Sequence, residues 1–210
     1  MIFKNRIEAG QKLTEKLQGY KDNKEVVVYA LPRGGVVLGK EIADALNTPL
    51  DILVIRKIGH PADPEYAVGA VAEDGHTIFS EEGEQIKNEL KEIIEKEKKE
   101  ALRRRSVYAG NKTISAEGKI AVIVDDGVAT GLTMELAINE IKHQKPKKII
   151  VAVSVVPVDT AEKFKNKIDE LFALKIEKDY LGAVAAYYEN FPQVEDGEVI
   201  ALMRSSGLDK

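Results

Sequence analysis

The sequence predicts an α/β fold with a mostly parallel sheet flanked by helices. Short runs of β-branched residues alternate with amphipathic helical patterns along the 210 residues, which is typical of βαβ units with strands buried on both faces. Two of these runs also end directly in polar, glycine-containing segments. Open α/β sheets bind ligands at the carboxyl ends of their strands, so the same pattern predicts where a binding site lies.

Helices and strands follow one another through the first half of the chain. Ile7, Leu13 and Leu17 recur at helical spacing, which predicts an amphipathic helix. The predicted elements are a helix at 5–17, a strand at 25–31, a helix at 36–46 and a strand at 50–57. Two prolines and two glycines make 58–69 a predicted loop, which leads into a strand at 67–72.

The second half continues the alternation after one long charged segment. A narrow apolar stripe in that segment predicts a helix at 81–105. After it come a strand at 119–126, a helix at 132–143, a strand at 147–156, a helix at 159–167 and a strand at 170–176. The tail at 180–204 is mixed, with a turn at "EDGE". We predict one domain over 1–210, with a core at 21–178 and a hood formed by 1–20 and 179–210.

The composition excludes several function classes. A formal net charge of −4 and a pI near 5.6 argue against nucleic acid as the main partner. The chain has no cysteine, which excludes disulfides, zinc thiolates and thiol nucleophiles. No stretch is long and apolar enough to span a membrane, and the first residues lack the apolar core of a secretion signal. We therefore expect a cytoplasmic protein without a membrane partner.

Two adjacent aspartates interrupt the segment "VIVDDGVATGLT". The loop after them enters a helix, whose first N–H groups form an anion site. Its glycines permit close backbone approach and its threonines add hydroxyl donors. Two carboxylates beside an anion site suit a ligand with both phosphate and hydroxyl groups, such as a phosphorylated sugar, or a divalent metal ion. The alternative is a strand–turn–helix corner in which Asp126 or Thr130 caps the helix.

The segment "ALPRGGVVLGKEIADAL" offers a second anion site. Arg33 contributes a guanidinium, and Gly34 and Gly35 contribute backbone N–H groups at a helix start. The alternative is a glycine turn with a solvated arginine. After the next strand Lys57 is a further candidate for binding phosphate, since strand alternation places Arg56 and Lys57 on opposite sides. A surface lysine with a snorkelling stem is the alternative for Lys57.

These motifs resemble those of the type I phosphoribosyltransferases over about 25–156, especially members of unassigned acceptor. The acidic pair and its loop are similar to the family's binding site for 5-phosphoribosyl 1-pyrophosphate (PRPP), and the Arg-Gly-Gly segment to the pyrophosphate loop of xanthine–guanine phosphoribosyltransferases. The resemblance implies a homodimer, Mg²⁺ held by Asp125 and Asp126 directly or through water, and catalytic roles for Asp125, Asp126, Arg33 and Lys57. The PRPP-binding residues that it implies are Arg33, Gly34, Gly35, Lys57, Asp125, Asp126, Gly127, Ala129, Thr130, Gly131 and Thr133.

The resemblance implies transfer of a 5-phosphoribosyl group from PRPP to a nitrogen acceptor, such as a nucleobase, with release of pyrophosphate. Purine-specific members carry a lysine shortly before a proline, where this chain has Val155 and Val156 before Pro157. Tyr187 and Tyr188 are candidates for stacking on a planar acceptor, and core packing is the alternative. The sequence leaves the acceptor open.

Two other functions compete with the enzyme. A PRPP- or nucleotide-sensing regulator would keep the pocket and lack turnover. A receiver-like signalling domain also ends a strand in an acidic pair. Receivers carry that pair on their first strand, whereas here it comes past the middle of the chain. The segment 59–67 lies where the family carries a flexible lid over the site, and the role of His60 within it stays open.

Overall fold

The computed structural model describes residues 2–110 and 112–205. The strands are β1 (Val26–Ala30), β2 (Leu50–Ile52), β3 (Ile55–His60), β4 (Asp63–Ala72), β5 (Thr77–Phe79), β6 (Ile120–Asp125), β7 (Lys148–Pro157) and β8 (Glu170–Glu177). The helices are α1 (Arg6–Leu17), α2 (Gly34–Leu46), α3 (Glu81–Gln85), α4 (Lys91–Ala109), α5 (Leu132–His143), α6 (Val158–Phe164) and α7 (Asp196–Ser205), with short 3-10 turns at Gln18–Tyr20 and Val184–Tyr187. Residue 1 and residues 206–210 of the predicted hood lie outside the described residues.

Five strands form the predicted parallel sheet, in the order β2-β1-β6-β7-β8. The chain passes from β1 to β2 on one side and returns to β6 on the other side of β1. This reversal opens a crevice between the carboxyl ends of β1 and β6, and such crevices are where open α/β sheets bind ligands.

Both faces of the sheet are buried, because successive side chains of a strand point to opposite faces and helices cover each face. Val26, Val28 and Ala30 of β1 belong to one apolar cluster, with side chains of α1, α2 and α7. Val27 and Tyr29 belong to a second cluster on the opposite face, with side chains of α5 and α6. The near-continuous apolar runs therefore reflect strands covered by helices on both sides.

The single strand predicted at 50–57 is wrong, because the chain leaves the parallel sheet in the middle of this segment. Leu50–Ile52 pairs with β1, whereas Ile55–His60 pairs antiparallel with β4 in a separate three-stranded sheet, β3-β4-β5. An apolar run shows that a strand is buried, and it does not show which sheet the strand joins.

The loop predicted at 58–69 is also wrong, since most of it is a β-hairpin. The two arms, β3 and β4, meet at a turn that contains Pro61 and Ala62. The register shifts between Ile58 and His60, so Pro64 lies in an irregular part of the ladder, where a missing N–H is tolerated. Glycine and proline here mark a bulged hairpin, which the composition does not distinguish from a loop.

Two further boundaries differ from the prediction. The helix predicted at 81–105 is split into α3 and α4 by tight turns over 86–90. The split lets Ile86 and Leu90 both pack on the three-stranded sheet. The "EDGE" turn is the start of α7, in which Val199 and Met203 pack into the core one helical turn apart.

Among the described residues, no helix is both long and apolar enough to cross a bilayer.

Candidate functional site

The Arg-Gly-Gly loop lies directly against the end of the acidic strand. The N–H of Leu31 donates to the Val124 carbonyl (2.9 Å), which joins the two strand ends beyond their regular pairing. A Cβ on Gly35 would lie 2.8 Å from the same carbonyl oxygen and 3.0 Å from the Asp125 Cα. Both atoms are backbone and cannot move aside, so only glycine permits this approach.

Two helices begin at this crevice without a side-chain cap at their N-termini. Within the described part of the chain, neither α2, which follows Arg33, nor α5, which follows Gly131, has a side-chain cap hydrogen bond. The first N–H groups of a helix lack intrahelical partners and carry its positive dipole end. Gly131 has φ +87°, which favours glycine. At α2 the Gly35 and Val36 N–H groups already donate to the Leu31 and Arg33 carbonyls (3.1 and 3.2 Å), so the start of α5 is the stronger of the two anion sites.

The acidic strand, its loop and the β3–β4 hairpin enclose a cavity of about 350 Å³. Segment 182–184 completes its wall. Lys57 extends from the hairpin and donates to the Glu65 carbonyl oxygen (2.9 Å) and carboxylate (3.2 Å). The lining residues are Lys57, Glu65, Tyr66, Ala67, Asp125, Gly127, Val128, Ala129, Thr130, Gly131, Thr133, Met134, Gly182 and Val184.

The two aspartates have different environments. The Asp125 carboxylate lines the cavity and accepts the Asp126 N–H (2.8 Å). Burial, and then the negative charge of Asp126, raise the pKa of Asp125 well above its ordinary value. The Asp126 carboxylate instead accepts from Arg6 Nε (2.7 Å). Burial raises the pKa of Asp126 too, and the Arg6 charge opposes that rise.

Residues 2–190 match the family model described as the phosphoribosyl transferase domain. The chain belongs to this family. It is 37% identical over 213 residues to two Mycobacterium tuberculosis proteins provisionally named phosphoribosyl transferases, covering 99% of this chain and 48% of theirs. The chain thus spans about half the length of these curated relatives.

Solved structures agree with the fold of this phosphoribosyl transferase domain. The protein TT1426 from Thermus thermophilus is 34% identical, with a TM-score of 0.77 that covers 98% of this chain and 99% of that one. A purine phosphoribosyltransferase from Pyrococcus horikoshii has a TM-score of 0.50 at 20% identity, covering 90% and 92% of the two chains. The predicted family and the predicted fold of a parallel sheet flanked by helices are confirmed.

The structure brings most of the predicted PRPP-binding residues of the transferase domain to one crevice. Lys57, Asp125 and the loop after Asp126 line the cavity together. Arg33 lies outside it and points toward α7, where its guanidinium is 3.6 Å from both Glu195 and Asp196. Gly34 lies beneath Asp126, because a Cβ there would be 1.9 Å from the Asp126 Oδ2.

Tyr187 and Tyr188 both lie in the apolar core, which is the alternative that the sequence left open. The Tyr187 hydroxyl accepts from the Leu181 N–H (2.8 Å), and the Tyr188 hydroxyl donates to the Asp126 carbonyl (2.6 Å). The hydrogen bond from Tyr188 helps to hold the backbone of the acidic pair in place. A role for either ring in acceptor binding stays a prediction.

Two features of the site have no counterpart in the sequence motifs. Arg6 reaches Asp126 from α1, donates to the Pro192 carbonyl (2.6 Å) and lies 3.6 Å from the centre of the Phe191 ring. Val184 packs over Gly127, and a Cβ at position 127 would be 2.6 Å from Val184 Cγ1. That contact gives a physical reason for glycine at this position.

Proposed function

We propose that this domain transfers the 5-phosphoribosyl group of PRPP to a nitrogen acceptor and releases pyrophosphate. The observation that carries the proposal is the meeting of two helix N-termini without side-chain caps at adjacent strand ends, with Asp125 lining the cavity beside them. One ligand that carries a phosphate at each end and hydroxyls between them matches this arrangement.

The proposed ligand spans the crevice from loop to loop. The 5-phosphate binds the N–H groups and hydroxyls of the loop at 129–133, at the start of α5. The ribose hydroxyls donate to Asp125, which is the acid that lines the cavity. The pyrophosphate binds at the Arg-Gly-Gly loop, with Lys57 from the hairpin. Arg33 joins it after exchanging its acidic partners, Glu195 and Asp196, at the start of α7.

The donor set around Asp125 fits Mg²⁺, which prefers carboxylate and phosphate oxygens and keeps several waters. Asp125 would hold the ion with the pyrophosphate, and Asp126 would do so only through water while Arg6 occupies its carboxylate. The ion would supply positive charge against the departing pyrophosphate. It would also favour the ionised form of Asp125, whose pKa is raised by burial.

The residues of the chain would act by position and charge. The bond from the anomeric carbon to pyrophosphate breaks, and the pyrophosphate leaves with the electron pair. The acceptor nitrogen then forms the new bond with its lone pair. Positive charge develops on the ribose, where the Asp125 carboxylate stabilises it. The β3–β4 hairpin, with Glu65 and Tyr66 at the cavity, would exclude water and hold the reactants together.

The acceptor side favours a nitrogen base other than a 6-oxopurine. Val155 and Val156, which replace the lysine of purine-specific members, are fully buried in β7. Neither side chain offers a hydrogen-bond donor for a ring oxygen. The homodimer that the family implies stays a prediction.

A second candidate is a regulator that binds PRPP or a nucleotide without turnover. It is favoured by the pairing of Asp126 with Arg6, since this pairing leaves one of the two carboxylates occupied within the protein. The curated relatives are about twice as long as this chain, so a sensing role within a larger assembly is consistent with the same pocket.

Pyrophosphate release separates the two candidates. Purified protein is incubated with PRPP, Mg²⁺ and a panel of nucleobases, and nucleoside monophosphates are identified by mass spectrometry. We expect at least one base to give its monophosphate and pyrophosphate in equal amounts, with Asp44→Asn retaining the rate, because Asp44 lies at the far end of α2. PRPP binding without product from any base would contradict the transferase and support the regulator.

A further inference from the structure

A second group of metal-binding side chains lies away from the crevice, between the three-stranded sheet and α5. His76 is in the turn between β4 and β5, and Glu140 and His143 are one helical turn apart on α5. Their potential ligand atoms all lie within 4.8 Å of one another. His76 Nδ1 is 2.8 Å from Glu140 Oε1, and the two imidazole rings are 5.2 Å apart at their centres.

The ligand types favour a transition metal over Mg²⁺. Two imidazoles and one carboxylate are ligands that zinc prefers, whereas Mg²⁺ prefers oxygen alone. Ligands about 2.0–2.1 Å from a tetrahedral zinc lie roughly 3.4 Å apart. Because the His76 side chain is 56% exposed and His143 is also exposed, small rotations of these imidazoles can shorten the spacing. Asp74, whose Oδ2 is 3.0 Å from His76 Nδ1, can supply a fourth ligand atom.

An ion pair alone does not explain the group. Pairing of His76 with Glu140 needs one imidazole, and an exposed pair of that kind contributes little stability. The second imidazole, of His143, takes no part in that pair and lies edge-on to the first. A shared metal ion instead uses both rings in their neutral form and the carboxylate in its charged form.

We propose that His76, Glu140 and His143 bind one divalent transition-metal ion of the zinc class, with Asp74 or water as the fourth ligand. The ion would clamp the three-stranded sheet onto α5. That sheet carries Lys57 of the candidate active site, and α5 begins at its phosphate loop. The metal would therefore fix two walls of the crevice without contacting the ligand there.

The site adjoins a second cavity of about 350 Å³, which shares no lining residue with the first. Asp74 and Glu140 form part of its wall, together with Gln144 and Arg105. Solvent can thus reach the open coordination position from this cavity. The proposal is independent of PRPP binding, since none of the three ligands lines the candidate active site.

Calorimetric titration of Zn²⁺ into the chelator-treated protein tests the proposal. We expect one ion per chain, bound at least about tenfold more weakly by His143→Ala and by His76→Ala, with the circular dichroism spectrum unchanged. The matched control is His60→Ala, since His60 is the one histidine of the chain outside this group and lies at the end of β3. It should bind Zn²⁺ as tightly as the wild type does.

A second measurement needs no variant. Co²⁺ in place of Zn²⁺ should give the intense visible absorption of a four-coordinate site, and millimolar Mg²⁺ should not displace it. The proposal would be overturned by the absence of stoichiometric Zn²⁺ binding, by equal affinity in the wild type and both histidine variants, or by a Co²⁺ spectrum that Mg²⁺ abolishes.

Discussion

Asp125→Asn is expected to weaken Mg²⁺-dependent binding of PRPP by about ten- to a hundredfold. The substitution removes the charge of the acid that lines the cavity and keeps its shape. A hydrogen bond to a charged group contributes about 1.5–3 kcal/mol, which corresponds to that change in affinity. Calorimetric titration of PRPP in the presence of Mg²⁺ gives the dissociation constants of the variant and the wild type.

The same substitution should stabilise the fold at neutral pH. Burial raises the folded-state pKa of Asp125 above its unfolded value, so the folded state binds more protons in the pH range between these two values. Folding stability from this group therefore falls as pH rises through that range. Asparagine removes this cost, and the melting temperature of Asp125→Asn should exceed that of the wild type at pH 7 and approach it in acid.

Asp126→Asn provides the contrast. It breaks the pair with Arg6, whose side chain is 10% exposed, and leaves a buried charge without its partner. We expect a loss of about 3 kcal/mol in the free energy of unfolding. Asp44→Asn, on the exposed end of α2, should change neither stability nor PRPP affinity measurably. If Asp125→Asn and Asp126→Asn behaved alike in both measurements, the two distinct roles assigned to the acids would be wrong.

Arg105→Ala is expected to cost about 3–5 kcal/mol in the free energy of unfolding, the largest effect on stability that we predict. Arg105 is 7% exposed and donates to Asp51 (2.9 Å), which is 2% exposed, and to Glu73 (2.9 Å). Among the described residues, removing the guanidinium leaves the buried Asp51 carboxylate with hydrogen bonds from the N–H groups of Ile52 and Ile114. Urea unfolding of variant and wild type measures the difference.

Arg103→Ala is the matched control for this effect. Arg103 lies on the same helix two residues earlier, is 45% exposed and pairs with Glu100 and Asp196 at the surface. An exposed pair contributes about 0–1 kcal/mol, so this variant should remain close to the wild type. Equal losses for the two arginines would show that burial does not set the cost.

The anion loops could be predicted from sequence because each is a local feature. A buried β-branched run, a polar turn and a helix start are adjacent in the chain, and together they place Asp125 at a strand end and Gly35 at a helix start. The parallel sheet follows for the same reason, since alternating strand and helix patterns leave few topologies.

The parts that sequence did not predict are non-local. Arg6 and Asp126 are 120 positions apart. In the sequence pattern, Arg6 is an ordinary first-turn residue of an amphipathic helix. The split of 50–57 between two sheets depends on what packs against each half, which periodicity does not show. The hairpin that carries Glu65 and Tyr66 has the proline and glycine content of a loop.

Titration of PRPP into the wild-type protein, with and without Mg²⁺, tests the central claim most directly. We expect binding of one PRPP per chain in Mg²⁺ and much weaker binding without it, because the raised pKa of Asp125 disfavours a carboxylate that no cation balances. The absence of PRPP binding in both conditions would contradict the account, even though the family and the fold would stand.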